Sequence, residues 1–366
     1  MDRLTQLQLN RTFLDRQFLL ERTDRKPLDV IAHLIALQSQ EAQSPYESLW
    51  ARISGFKPRD LDELFLNRSA VRGTWFRSTV QTTTAEDYLA FRGIHSEIFL
   101  RGMDGLLEGV DGADWVEELR KAYSGAGALH GPELVAIADG LMPGQNKELW
   151  KSHNVRRAVA MLRKPKGPSG RTLGPRDPWI EAEEFLGELP LPAESVDRRE
   201  LIRRYLIAYG PASVADASYF LGLSRLGPIF KSMGLREYQS EKGTLLYDLP
   251  ELELTDPAVE APVRLMASFD HTILGHADRT RIIDQAHSPI ISGVNAMFKP
   301  YILVDGRVTG YWTYKLGKDE TPEVNFHYFS RPTKDQEIGL VSEAESWAES
   351  WFGSSDGLRL AIADYS

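Results

Sequence analysis

The sequence predicts an α+β fold in which tandem winged-helix (helix-turn-helix) motifs precede a C-terminal β-barrel-like domain. Two observations carry this. Three segments repeat one rhythm: a helix, a turn, a second helix, then a short β-rich stretch with glycine or proline. From about Pro262 the texture changes to alternating strand-like runs. The chain has 366 residues, more than a single core usually holds. The expected divisions are a first winged-helix region over 1–125, a second winged helix over 126–190, a third over 191–258 and a β domain over 259–366.

In the first segment, Val30, Ile31, Leu34, Ile35 and Leu37 recur at helical spacing, and Gln38 would extend that stripe. Ser44-Pro45-Tyr46-Glu47 then reads as a cap serine, a proline at the first helical position and a glutamate three residues after the cap. Gln38 and Gln40 therefore fall at a joint between helices. Residues two apart share a side only in extended chain, so a locally extended joint would aim both amides at one point and turn Ser39 away. Such a pair offers two carbonyl acceptors and two amide donors without charge, enough to hold a water or a polar substrate edge. The alternative is that both are solvated or cap a helix. Beyond the joint, Val71 to Thr84 reads as paired strands, with Thr84 capping the next helix.

In the second segment, His130 to Leu141 is predicted as a short helix and Asn146 to Leu162 as a longer one, followed by the basic stretch Lys164 to Pro178. The third is the clearest. Helices over Asp197–Gly210, Pro211–Leu223 and Ser224–Met233 precede a hairpin over Leu235–Leu249, turned by Lys242-Gly243. In the β domain, YILV and RVTGYWTY flank Asp305-Gly306, a pair suited to a type I′ turn. A final helix is expected over Glu343–Gly353.

Composition narrows the function classes. With no cysteine there are no disulfides, thiolate zinc sites or cysteine nucleophiles. No stretch is apolar and long enough to span a bilayer, and MDRLTQLQLNRTF is too polar for a signal peptide, so a cytoplasmic protein without membrane partners is expected. The net charge of −9 opposes nucleic-acid binding globally. Locally it favours it: between residues 151 and 180 eight basic side chains face one acid, Asp177. Asp270, His271, His276 and Asp278 are the densest potential metal ligands. If Phe269 to Ile273 is a strand, Asp270 and His271 point to opposite faces, so no metal and no cofactor is expected.

Four stretches together carry a family resemblance: LQSQ…SPYESLWAR, LIRRYLIAYGPASVADASYFLGL, FDHTILGHADRTRI and YILVDGRVTGYW. In these the chain resembles the AlkZ/YcaQ-type winged-helix DNA glycosylases over nearly its whole length. The resemblance implies a monofunctional glycosylase acting as a monomer on double-stranded DNA that carries alkylated purines, bulky adducts or interstrand crosslinks. It also implies a role in self-resistance to a DNA-alkylating natural product. The family's Gln-x-Gln signature falls on Gln38 and Gln40, which become the expected catalytic residues. Two positions depart from the family pattern: Ser39 is polar where an apolar residue is usual, and Ser78 to Gln81 stand where many relatives read Gly-Thr-Leu-His. Charge and resemblance together assign DNA contacts to Arg77, Gln81, Arg163, Lys164, Lys166, Arg171, His276, Arg279, Lys299 and Arg307, with the Asp305-Gly306 hairpin probing a groove. The competing reading is a non-enzymatic winged-helix regulator or damage binder. A regulator would normally dimerise, and no heptad or long apolar dimer helix is present.

Overall fold

The computed structural model describes residues 2–95, 112–141, 152–167, 172–317 and 321–363. The chain is α+β and divides into two compact units, one of residues 1–60 and 202–366, the other of residues 61–201.

The first unit opens with strand β1 (Asp2–Leu4) and helix α1 (Gln6–Arg16), which Thr5 caps by accepting from the Gln8 N–H. Helix α2 (Pro27–His33) stops earlier than its apolar spacing suggests. Leu34 is its C-cap, and Ile35 takes φ +67°, a left-handed conformation that a β-branched residue rarely adopts. That reversal turns the end of the stripe into extended strand β2 (Leu37–Gln38), and helix α3 (Ser44–Trp50) follows. Gln43 is the α3 N-cap, one residue ahead of the expected serine, and the Ser44 hydroxyl bonds Ser268 at 2.8 Å instead of the helix end.

Helix α4 (Pro58–Leu66) crosses into the second unit. There β3 (Ala70–Thr74) and β4 (Val80–Thr84) pair antiparallel, as expected, and Thr84 caps α5 (Ala85–Phe91) by accepting from the Asp87 N–H. Helices α6 (Gly112–Tyr123), α7 (Gly131–Leu141) and α8 (Ser152–Ala158) pack Trp115, Leu119, Leu134, Ala138 and Val155 into one core with Trp179. The helix expected to run to Leu162 ends at Ala158, because Met161–Arg163 forms β5 and pairs with β6 (Trp179–Glu181). Gly73 is where β3 meets β5; a Cβ there would stand 2.8 Å from Leu162 Cδ2 and 2.9 Å from the Met161 carbonyl. Short α9 (Ala182–Leu186) closes the unit's sheet face.

Back in the first unit, α10 (Arg198–Tyr209, which begins in the second unit), α11 (Val214–Leu221) and α12 (Gly227–Ser232) precede the hairpin of β7 (Arg236–Ser240) and β8 (Leu245–Asp248). A reciprocal capping box between Ser213 and Asp216 starts α11, and Gly243 at φ +83° turns the hairpin. β1 joins the hairpin edge in parallel to β7.

The C-terminal region is an open sheet in the order β13 (Arg359–Ala363), β12 (Pro322–Tyr328), β11 (Arg307–Leu316), β10 (Tyr301–Val304) and β9 (Arg264–Met266). The barrel-like expectation is corrected here: among the described residues β9 and β13 are separate edges and the sheet does not close. Short helices α13 (His271–Leu274) and α14 (Ser288–Ser292) lie between β9 and β10. The last helix, α15 (Lys334–Phe352), starts nine residues before its predicted position, from a Thr333/Gln336 capping box, and buries Trp347 against Trp312. Asp305 and Gly306 both have positive φ, as a type I′ turn requires. The turn is tied to α1. Asn10 and Arg11 of α1 bond the Gly306 and Asp305 carbonyls, Arg11 pairs with the Asp305 carboxylate, and a Cβ on Gly306 would run into Asn10 Oδ1. These contacts hold the turn from the α1 side, while the Asp305 side chain at its tip stays exposed.

Candidate active site

The glutamine joint is built by the helix break at Ile35. Gln38 lies at the end of β2 and is only 5% exposed; its amide oxygen accepts the Ser39 N–H at 3.1 Å. Ser39 is buried too, and the chain bends at Gln40, whose side chain is exposed. The two amides thus have different surroundings, one in the protein interior and one at the surface.

Behind the joint, α3 is fixed by a buried polar network that sequence reading did not find. Asp270 receives both Arg52 guanidinium nitrogens at 2.8 Å, the Ser48 hydroxyl at 2.6 Å, and the Thr272 N–H and hydroxyl at 2.9 and 2.8 Å. Arg52 also donates to the Ser48 carbonyl and to Gln17 Oε1, while Gln17 donates to the Ala208 carbonyl. Burial would raise the Asp270 carboxyl, but the Arg52 charge and these hydrogen bonds hold it well below the usual carboxylate range. Asp270 therefore works as an anchor for α3, with both oxygens occupied by protein donors. The two charges are 218 residues apart in sequence, so no spacing rule could pair them. Glu47, read from sequence only as a helix-start acid, is also buried.

The histidines of this region are interior. His271 Nδ1 lies 3.3 Å from the Tyr209 hydroxyl. His276 is 1% exposed, donates from Nε2 to the Tyr209 carbonyl at 2.8 Å and meets the Phe13 ring edge-on. Its expected contact with DNA is corrected to a bracing role, since a side chain this deep cannot reach a phosphate. Burial, and then the nearby Arg281 charge, lower the His276 pKa, so the ring is neutral at pH 7. The unfolded chain titrates near 6.5, so acidification protonates the unfolded state first. Stability should fall as pH drops below that value, by about 2 kcal/mol between pH 7 and 5 from this group alone. Melting curves of wild type and His276→Gln across that range should show a flatter acid side in the variant.

Among the other predicted DNA contacts, Gln81 is also buried, with Nε2 donating to Thr79 Oγ1 at 3.0 Å. Arg77 is half-buried in a reversal where it and Ser78 take φ +51° and +60°. Arg163 lies over Trp179 and bonds the Asp177 carbonyl; burial first, then Arg72 and Arg156, lower its pKa to about 9. Lys164 and Lys166 are exposed on the β5–β6 connection, while Arg171 lies outside the described residues. Arg307 is paired with Asp284. Arg279 lies over Phe298 and bonds the Tyr219 hydroxyl, and Lys299 lies 3.8 Å over the Tyr311 ring.

A family model described as DNA glycosylase AlkZ-like matches residues 31–350, from within α2 to the C-terminal helix. The chain belongs to the AlkZ-like DNA glycosylase family. A curated protein, the interstrand DNA cross-link repair glycosylase of Streptomyces sahachiroi, is 31% identical over 136 residues, covering 34% of this chain. That match spans about a third of the relative, 36% of its length. The solved structure of Streptomyces sahachiroi DNA glycosylase AlkZ superposes with a TM-score of 0.78 at 21% identity, covering 99% of this chain and 100% of that one, so the AlkZ fold is shared throughout. Among the described residues, no helix is long and apolar enough to cross a membrane.

Proposed function

We propose that this protein is a monofunctional DNA repair glycosylase, monomeric and built on tandem winged helices, that hydrolyses the N-glycosidic bond of cationic N-alkylated purines. Its substrates include bulky adducts or interstrand crosslinks, and its biological setting is self-resistance to a DNA-alkylating natural product. The observation that carries this reading is the glutamine joint, in which Gln38 ends a short buried strand and Gln40 stands exposed at the bend after it. Membership in the AlkZ-like family supports the same reading.

Neutral amides suit this chemistry. A purine alkylated at N7 or N3 already bears positive charge and leaves without a strong general acid. What remains is to hold water against the anomeric carbon and to stabilise an oxocarbenium-like transition state, for which carbonyl dipoles suffice. Gln40 would turn its exposed carbonyl oxygen towards water or sugar, and Gln38 would add the second lone pair of an oxygen already oriented by the Ser39 N–H. Lys164, Lys166, Arg279 and Lys299 would sit on backbone phosphates. An open surface suits bulky lesions, because a base tied to the other strand cannot be flipped into a closed pocket.

The test is incubation of the protein with a duplex containing N7-methylguanine and with one containing a bulkier N7-guanine adduct. Release of the modified base with an abasic site left in an intact strand is expected. Strand cleavage at the abasic site by the enzyme would contradict the monofunctional assignment. Tight duplex binding without base release would replace the enzyme with the damage-binding reading.

A further inference from the structure

The segment between α14 and β10 holds an apolar lobe that the glutamine chemistry does not use. Its ends are pinned by the Lys299 N–H, which donates to the Ile291 carbonyl at 2.9 Å. Within it Gly293 has φ +57°, where a Cβ would meet the Met297 carbonyl oxygen at 2.7 Å, so the chain folds closely over itself. Asn295 and Ala296 follow at φ +57° and +56°, two consecutive side-chain-bearing residues in the left-handed region. This backbone holds two large hydrophobic residues outward. Val294, at 82%, is the most exposed large hydrophobic side chain among the described residues, and Met297 is 50% exposed.

The charge around the lobe is organised as well. Other cations of the same unit are paired with carboxylates: Lys242 with Asp278, Arg307 with Asp284 and Arg11 with Asp305. Arg279 and Lys299, which flank the lobe, have none among the described residues. Each instead lies over an aromatic ring, Arg279 on Phe298 at 5.1 Å and Lys299 on Tyr311 at 3.8 Å. Phe298 directly follows Met297, so one cation is stacked on the lobe's own base and the other is the next residue along. A strained, narrow apolar tip between two cations free of carboxylates fits a polyanion with a hydrophobic interior. A protein partner would call for a broader apolar patch.

We propose that the lobe Gly293–Met297 is a wedge for duplex DNA: Val294 and Met297 enter a groove and part a base step, while Arg279 and Lys299 hold the adjoining phosphates. The proposal rests on the glycosylase reading for its partner and adds the step that deforms it. Opening the stack next to a lesion would expose the anomeric carbon to water held by the glutamine joint without requiring a closed pocket.

The experiment uses the full-length protein and duplexes with a tetrahydrofuran abasic analogue, in which 2-aminopurine is placed in turn at the neighbouring steps. Wild type should raise 2-aminopurine fluorescence at one step, reporting unstacking. In the Val294→Ser/Met297→Ser double variant that rise should disappear, duplex affinity should fall only a few-fold, and release of N7-methylguanine should slow by about tenfold. Val294→Leu should retain the rise. Because the substituted side chains are exposed, unchanged melting of the double variant serves as the folding control. A fluorescence rise that survives the double substitution, or no rise at any step with wild type, overturns the wedge. Wild type that unstacks a step yet releases no base overturns the glycosylase reading and leaves the wedge standing.

Discussion

Asp270→Ala is expected to destabilise the first unit by about 3–5 kcal/mol, because it leaves the Arg52 guanidinium buried without its counter-charge. The loss exceeds that of a surface pair because both side chains are almost completely buried, so water cannot solvate the survivor. Ser48, Gln17 and Thr272 also lose partners or the geometry that Asp270 imposes. Arg52→Ala should be similarly damaging, since it leaves a buried carboxylate. The double replacement Arg52→Met/Asp270→Leu should be milder than the sum of the single losses, because it removes both charges at once. Thermal or urea unfolding of the four proteins checks this. Equal and small shifts for both single variants would mean that the network contributes little. Because the network clamps α3, the single variants should also reduce base release beyond what their loss of folded protein explains.

Gln38→Ala is expected to slow release of N7-methylguanine by about 100- to 1000-fold, the scale of removing one preorganised dipole from a charged transition state. The effect should fall on the chemical step, measured under single-turnover conditions, with duplex affinity nearly unchanged. Gln38 is buried and held through its oxygen by the Ser39 N–H, so Gln38→Glu is informative as well. A charge at that depth would be costly to ionise and would strain the joint. Gln40→Ala should also slow release, but by less, since an exposed amide is less rigidly held than a buried one.

The sequence made much of the fold legible wherever local chemistry decides it. The Thr84 cap, the Val71–Thr84 strand pair, the Lys242-Gly243 hairpin turn and the Asp305-Gly306 turn all depend on residues within a few positions of one another. Features that depend on distant packing were not legible. Nothing near Asp305 signalled that α1 would bond the carbonyls of its turn, and the pairing of Met161–Arg163 with β6 took the end of a segment with helical character. The open sheet follows from which strands meet at its edges, which alternation alone does not specify.

The candidate site divides the same way. The glutamine joint was visible because a helical stripe breaks between two helix signals, although the cause of the break, the left-handed Ile35, was not. His276 and Asp270 drew notice as polar residues in a short span, yet their chemistry is interior: one braces the Tyr209 carbonyl and the other neutralises Arg52. Burial separates a bracing histidine from a surface one, and sequence spacing does not report it. The same measure separates Gln38 from Gln40, which sequence placed side by side.

On the proposed mechanism, a pair of uncharged amides suffices because the substrate base carries its own positive charge. The decisive comparison is single-turnover base release by wild type and Gln38→Ala from matched duplexes, one with N7-methylguanine and one with the neutral lesion hypoxanthine. Wild type should release N7-methylguanine readily and hypoxanthine barely at all, with Gln38→Ala abolishing most of the first activity. Comparable release of hypoxanthine by wild type would require a general acid that two glutamines cannot supply, and would rule this mechanism out.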